Sequence, residues 1–103
     1  SKIKFEEPCI FPSSSRDIAL LVKDEISSGD IVKVIKKNSK GIINSVEVFD
    51  IYKGNNLEEG YKSIAINIVY QSKDHTLKDD EILPVHNNIL LDLQKEFAAE
   101  LRK

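Results

Sequence analysis

Three residues of unlike chemistry stand close together in the 103-residue chain: the Asp50 carboxylate, the Tyr52 phenol ring and, further on, the Ser63 hydroxyl. Asp50 and Tyr52 are two positions apart, the spacing that puts side chains on one face of a strand. A ring can stack on a flat ligand, a carboxylate accepts hydrogen bonds, and a hydroxyl both donates and accepts. Other candidates fall away on spacing. GNNLEEGYKS (54–63) has the look of a phosphate loop. A Walker A loop, however, needs four residues between its glycines and Lys directly after the second. Here five residues intervene, and Tyr61 separates Gly60 from Lys62. His75, His86 and the lone Cys9 have no metal-ligand spacing. No nucleophile stands with a base. No catalytic site, metal or cofactor is therefore expected in this chain.

The elements that must position these residues follow from apolar periodicity. Pro8, Pro12 and Ser13-Ser14-Ser15 make residues 1–15 a lead-in, and residues 16–103 form one domain. RDIALLVK (16–23) reads as a strand. Ser27 with Asp30 has capping-box spacing before a helix that carries Ile31, Val34 and Ile35 on one face and Lys33, Lys36 and Lys37 on the other. Asn38 to Gly41 end it. Residues 42–53 and 61–72 read as two strands joined as a hairpin across the loop between Gly54 and Gly60. Thr76 with Asp79 has capping-box spacing before a second helix running to about residue 96, in which Pro84 predicts a kink or a broken start. In that helix Ile82, Val85, Ile89, Leu90, Leu93 and Phe97 mark the apolar positions. His75 falls in the loop before it and His86 on its surface. Residues 98–102 either prolong the helix or form a short last strand. The order is an α+β, ferredoxin-like split βαβ pattern, βαββαβ. It implies a four-stranded antiparallel sheet with two helices on one face.

Alternation then sorts the sheet. Ile18, Leu20, Val22, Ile64, Ile66, Ile68 and Tyr70 belong to the covered face, and Phe49 shares a face with Ile51. The open face carries Ala19, Asp50, Tyr52, Ser63, Ala65 and Asn67. That composition describes a solvated sheet face. It also describes a platform for a flat ligand, and splayed-out RNA bases are the usual ligand of a four-stranded sheet with one open face. An acylphosphatase-like enzyme shares the topology but needs a glycine-rich anion loop after the first strand, where LVKDEISSGD is acidic.

Charge narrows the partners. Fifteen basic residues against 17 acidic leave a net charge of −2, which excludes a binder relying on bulk positive charge. Phosphate contact is left to Arg16 and to Lys33, Lys36 and Lys37. No apolar run approaches the ~20 residues of a membrane span, so neither a membrane nor DNA is expected as a partner. The start of the chain leads into no cleavage site of a signal peptide, and a chain without any Met is expected to be a piece of a longer one. A single Cys fits a reducing, cytoplasmic location.

From about residue 5 to 102 the chain resembles the ferredoxin-fold anticodon-binding domain that closes the β chain of bacterial phenylalanyl-tRNA synthetase. The resemblance rests on FPSSSRDIALLV (11–22), SVEVFDIYKG (45–54), GYKSIAINIVYQS (60–72), HTLKDDEI (75–82) and EFAAELR (96–102), in that order. His75 stands where the family often has Arg, and Ala98 where it often has Gly. The resemblance implies a module that holds the anticodon stem-loop of phenylalanine tRNA. It places Asp50, Tyr52 and Ser63 at the first anticodon base, a guanine, whose N1–H and N2–H₂ suit a carboxylate. It further implies a parent α2β2 phenylalanine–tRNA ligase that uses ATP and Mg²⁺ on its α chain, with the chemistry outside this chain. The alternative of the same topology is a small-molecule, amino-acid-sensing regulatory domain. Such a domain usually has a Gly-bearing loop after its first strand, which this chain lacks.

Overall fold

The computed structural model describes residues 10–54 and 56–102; Cys9 and the first nine residues of the expected lead-in lie outside them. The chain order is β1 (Ser14–Lys23), α1 (Ser28–Lys37), β2 (Ile43–Tyr52), β3 (Tyr61–Tyr70), α2 (Asp79–Phe97) and β4 (Glu100–Arg102). All pairings are antiparallel, in the order β2-β3-β1-β4. This is the expected ferredoxin-like α+β fold. β1 begins at Ser14, so the last two residues assigned to the lead-in belong to the sheet.

The central pair is regular. β1 and β3 run from Ser14↔Tyr70 to Lys23↔Tyr61 without a register shift. Directly opposed residues share a face, so Ile18 meets Ile66 and Leu20 meets Ile64 under the helices. Ile64, Ile66, Ile68 and Tyr70 are fully buried, as are Ile31 and Ile35 of α1 and Ile82, Ile89 and Leu93 of α2. Val34, Leu90 and Phe97 pack at the margin of this core. Each full burial of such an aliphatic side chain contributes about 1.5–3 kcal/mol.

β2 is irregular, and its apolar spacing shows why. Ile43, Val46, Val48 and Ile51 are paired with the covered-face residues Tyr70, Ile68, Ile66 and Ile64. Their spacing of three, two and three is incompatible with plain alternation. One extra residue is accommodated between Ile43 and Ser45, and another between Val48 and Asp50. These β-bulges at Asn44 and Phe49 keep the aliphatic residues in register with β3. Phe49 is therefore not the covered-face companion of Ile51 that alternation predicts. It is the inserted residue and is 53% exposed.

The helix ends also depart from expectation in detail. Ser27 does cap α1, its Oγ accepting the Gly29 N–H at 3.1 Å. The cap of α2 lies at Lys78, not Thr76: the Glu81 carboxylate accepts the Lys78 N–H at 2.8 Å, and His75 Nε2 stands 2.6 Å from the same carboxylate. α2 then runs unbroken through Pro84, whose missing donor leaves the Asp80 carbonyl without its helical partner at an exposed position. Ala98 ends α2 in the left-handed conformation, φ 51°, its N–H bonded to the Gln94 carbonyl at 2.9 Å. That turn sends residues 100–102 back beside β1 as a strand. Asn38 Nδ2 ties the end of α1 to α2 by donating to Asp92 Oδ2 at 2.8 Å. His86 is half-buried rather than on the surface, its Nδ1 2.9 Å from the Tyr70 hydroxyl.

Candidate nucleic-acid interface

The sheet face away from the helices is built in cross-strand rows. One row reads Asp50, Ala65, Ala19 and Arg102 across β2, β3, β1 and β4. The next reads Tyr52, Ser63, Leu21 and Glu100. Beyond Asp50 lies Glu47 with Asn67 and Asp17, where Asn67 Nδ2 donates to Asp17 Oδ1 at 2.7 Å. Neighbouring strands are about 4.8 Å apart, so a row of four spans about 14 Å. Its middle is two alanines, which leave a low floor between a carboxylate on one edge strand and a guanidinium on the other.

The bulge at Phe49 creates this arrangement. Counted by twos from Val46 and Val48, Asp50 and Tyr52 would point under the helices. The inserted residue reverses the parity, so both reach the open side opposite Ala65 and Ser63. Asp50 is exposed and Tyr52 is 41% exposed. Ser63 lies on the same face but is only 7% exposed.

Of the expected contact residues, the structure therefore brings together Asp50, Tyr52, Ser63, Ala19, Ala65 and Asn67. It does not bring the expected cations. Arg16 opposes Ile68 on the covered face, and its guanidinium is held 3.1 Å from Asp79 at the start of α2. Lys33, Lys36 and Lys37 project from α1, which packs on the opposite side of the sheet through Ile31 and Ile35. Lys33 and Lys37 border a shallow groove with Glu96 and Phe97 there. Two cations do reach this face, Lys23 opposite Tyr61 at its end and, in the row of Asp50, Arg102; sequence reasoning missed both. For Arg102, a strand of three residues is too short to show alternation, and only its pairing with β1 assigns its face.

At the end of the platform beyond Tyr52, Lys53 Nζ stands 2.6 Å from Asp24 Oδ1. The hydrogen bond from Lys53 holds the Asp24 carboxyl below the usual carboxylate range. Among the described residues no three His, Cys, Asp or Glu side chains converge as a metal set would. No helix among them is long and apolar enough to cross a membrane.

An antiparallel sheet clad by helices on one face, with small and polar residues around the Tyr52 ring on the other, defines the chain as an open-faced α+β binding module. It belongs to the ferredoxin-fold anticodon binding domain family, whose sequence pattern matches residues 9–102. Its relatives are phenylalanine–tRNA ligase β subunits. It is 42% identical to that of Trichormus variabilis over 98 residues, 95% of this chain. It is 44% identical to that of Clostridium tetani over 92 residues, 89% of the chain, and 38% identical to that of Geobacillus kaustophilus over 100 residues, 97% of the chain. In each case the match covers 12% of the relative's length.

Proposed function

We propose that the open sheet face receives the anticodon loop of phenylalanine tRNA, and that the chain is the C-terminal tRNA-holding module of a phenylalanine–tRNA ligase β subunit. The observation that carries this is the adjacency of Asp50, Tyr52 and Ser63. Tyr52 is directly opposite Ser63, and Asp50 is two residues from Tyr52 on the same face. Tyr52 stacks on the first anticodon base, and Asp50 accepts from its donors, which suits a guanine. Ser63, nearly covered, lines the floor beside the ring. Aminoacylation itself takes place elsewhere, on an α chain with ATP and Mg²⁺, in an α2β2 cytoplasmic enzyme. The platform carries Asp17, Glu47, Asp50 and Glu100 against Lys23 and Arg102, so phosphate attraction is weak. Binding by this chain alone is accordingly expected at micromolar level or weaker, with a shallow salt slope.

The test is a titration of the chain with the anticodon stem-loop of phenylalanine tRNA and with a stem-loop whose first anticodon base is not guanine. Asp50→Asn should weaken the first complex and cost much less on the second, because both changes remove one contact. Additive losses in a folded protein would remove Asp50 from the site. A stable dimer that binds a free amino acid and ignores RNA would point to the regulatory-domain alternative instead.

A further inference from the structure

Gly54 lies two residues beyond Tyr52, where continued alternation would place a side chain on the open face. That space is already filled. A Cβ built on Gly54 overlaps Tyr52 Oη and Cζ and stands 3.0 Å from Cε1. The tyrosine side chain therefore runs along the chain and over the Gly54 backbone instead of standing upright from the sheet. The backbone does not itself require glycine here, since the left-handed glycines of the described residues are Gly41 and Gly60. It is the ring, in this pose, that leaves no room for a Cβ, so a side chain there would push the end of the tyrosine aside. The segment beneath the ring is fixed on both sides of Gly54. Lys53 is paired with Asp24 at 2.6 Å, and the Gly54 carbonyl accepts the Leu57 N–H at 3.0 Å.

A ring laid over a bare backbone has one side supported and the other turned outward, and it has fewer rotamers to lose when a base settles on it. We infer that Gly54 is a positioning residue: its missing side chain is the seat that holds the Tyr52 ring flat for stacking. This rests on the reading of Tyr52 as the stacking residue of the anticodon site.

The test compares Gly54→Ala, Tyr52→Ala and the double variant, each titrated with the anticodon stem-loop of phenylalanine tRNA. Alongside it, proton NMR of the free chain looks for contacts between the Tyr52 ring and the Gly54 α-protons. Those contacts should be strong. Tyr52→Ala should weaken binding roughly 5- to 150-fold, the range for loss of one stacked base. Gly54→Ala should lose a large part of that factor while remaining folded, and should add nothing in the Tyr52→Ala background. Weak binding by Tyr52→Ala with full binding by Gly54→Ala would overturn the positioning role alone. Unchanged binding by Tyr52→Ala would overturn the stacking reading and this inference together. Equal losses from Gly54→Ala with and without the ring, or absent NMR contacts, would also overturn it. If Gly54→Ala unfolds the chain, recovery of the fold in the double variant supports the overlap, and failure to recover overturns it.

Discussion

Along β3, Ile64, Ile66 and Ile68 are sealed beneath the helices, while Ser63, Ala65 and Asn67, alternating with them, face the other way. One strand thus serves two opposite demands at adjacent positions. The covered face is aliphatic and filled by both helices, so its side-chain volumes are constrained. The open face contributes little burial and is free to carry a carboxylate, a ring and two alanines. The difference teaches that core packing and the chemistry of the open face are separable here at a resolution of one residue, because the pleat isolates one face from the other. It also explains the irregular edge strand. The two demands conflict along β2, and the Phe49 bulge resolves them by shifting the strand half a pleat repeat.

The strongest challenge to this separation is a matched pair of substitutions. Ile66→Ala should lower unfolding free energy by about 2–5 kcal/mol, the range for large-to-small core changes. Ala65→Ser, one residue away on the open face, should change it by less than about 0.5 kcal/mol. Equal losses in urea melts would mean that the two faces are not distinct.

A second probe uses the polar pair at the edge of the covered side. Burial pushes the Tyr70 hydroxyl up to about 12 from an ordinary 10.0, with Arg16 opposing. The folded chain therefore holds this proton to higher pH than the unfolded chain does. Its contribution is complete below pH 10 and is lost as pH climbs toward 12, by about 2 kcal/mol on the linkage relation. At the acid end, burial and then Arg16 lower the His86 pKa from 6.5. The unfolded chain takes up that proton first, so stability is full above pH 6.5 and declines as pH falls below it. Glu81, lowered by its bond from the Lys78 N–H and by His75, adds a loss in the same direction at lower pH. Urea melts across pH should show both limbs, and Tyr70→Phe should remove the alkaline one.

The smallest effect sharpens the comparison. Ala98 takes a left-handed conformation that costs an L-residue about 1 kcal/mol or somewhat more and costs glycine little. Ala98→Gly should therefore raise the unfolding free energy by about 1 kcal/mol, less what added freedom gives the unfolded chain. Since Ala98 lies in the connector and off the platform, affinity for the anticodon stem-loop should not change. A loss of affinity would show that the placement of β4, with Arg102, depends on this turn.

Much of this protein was legible in the amino-acid sequence. The aliphatic alternation in β1 and β3 and the 3.6-residue stripe of α1 prescribe a sheet clad on one side, because burial of a periodic face is the dominant local signal. The chain order then leaves the split βαβ arrangement as its natural packing, and the spacing of Asp50 and Tyr52 puts them on one face of β2, though which face is decided by the bulge. Tertiary structure decided what depends on partners far along the chain. The register with β3 placed the bulge at Phe49. Pairing with β1 made residues 100–102 a strand and brought Arg102 beside Ala19. Packing of α1 against the covered face carried Lys33, Lys36 and Lys37 away from the platform, and Asp79 claimed Arg16. A sequence specifies which residues carry charge, but where that charge stands relative to a site is set by the layer its element joins, and that choice is made by long-range packing.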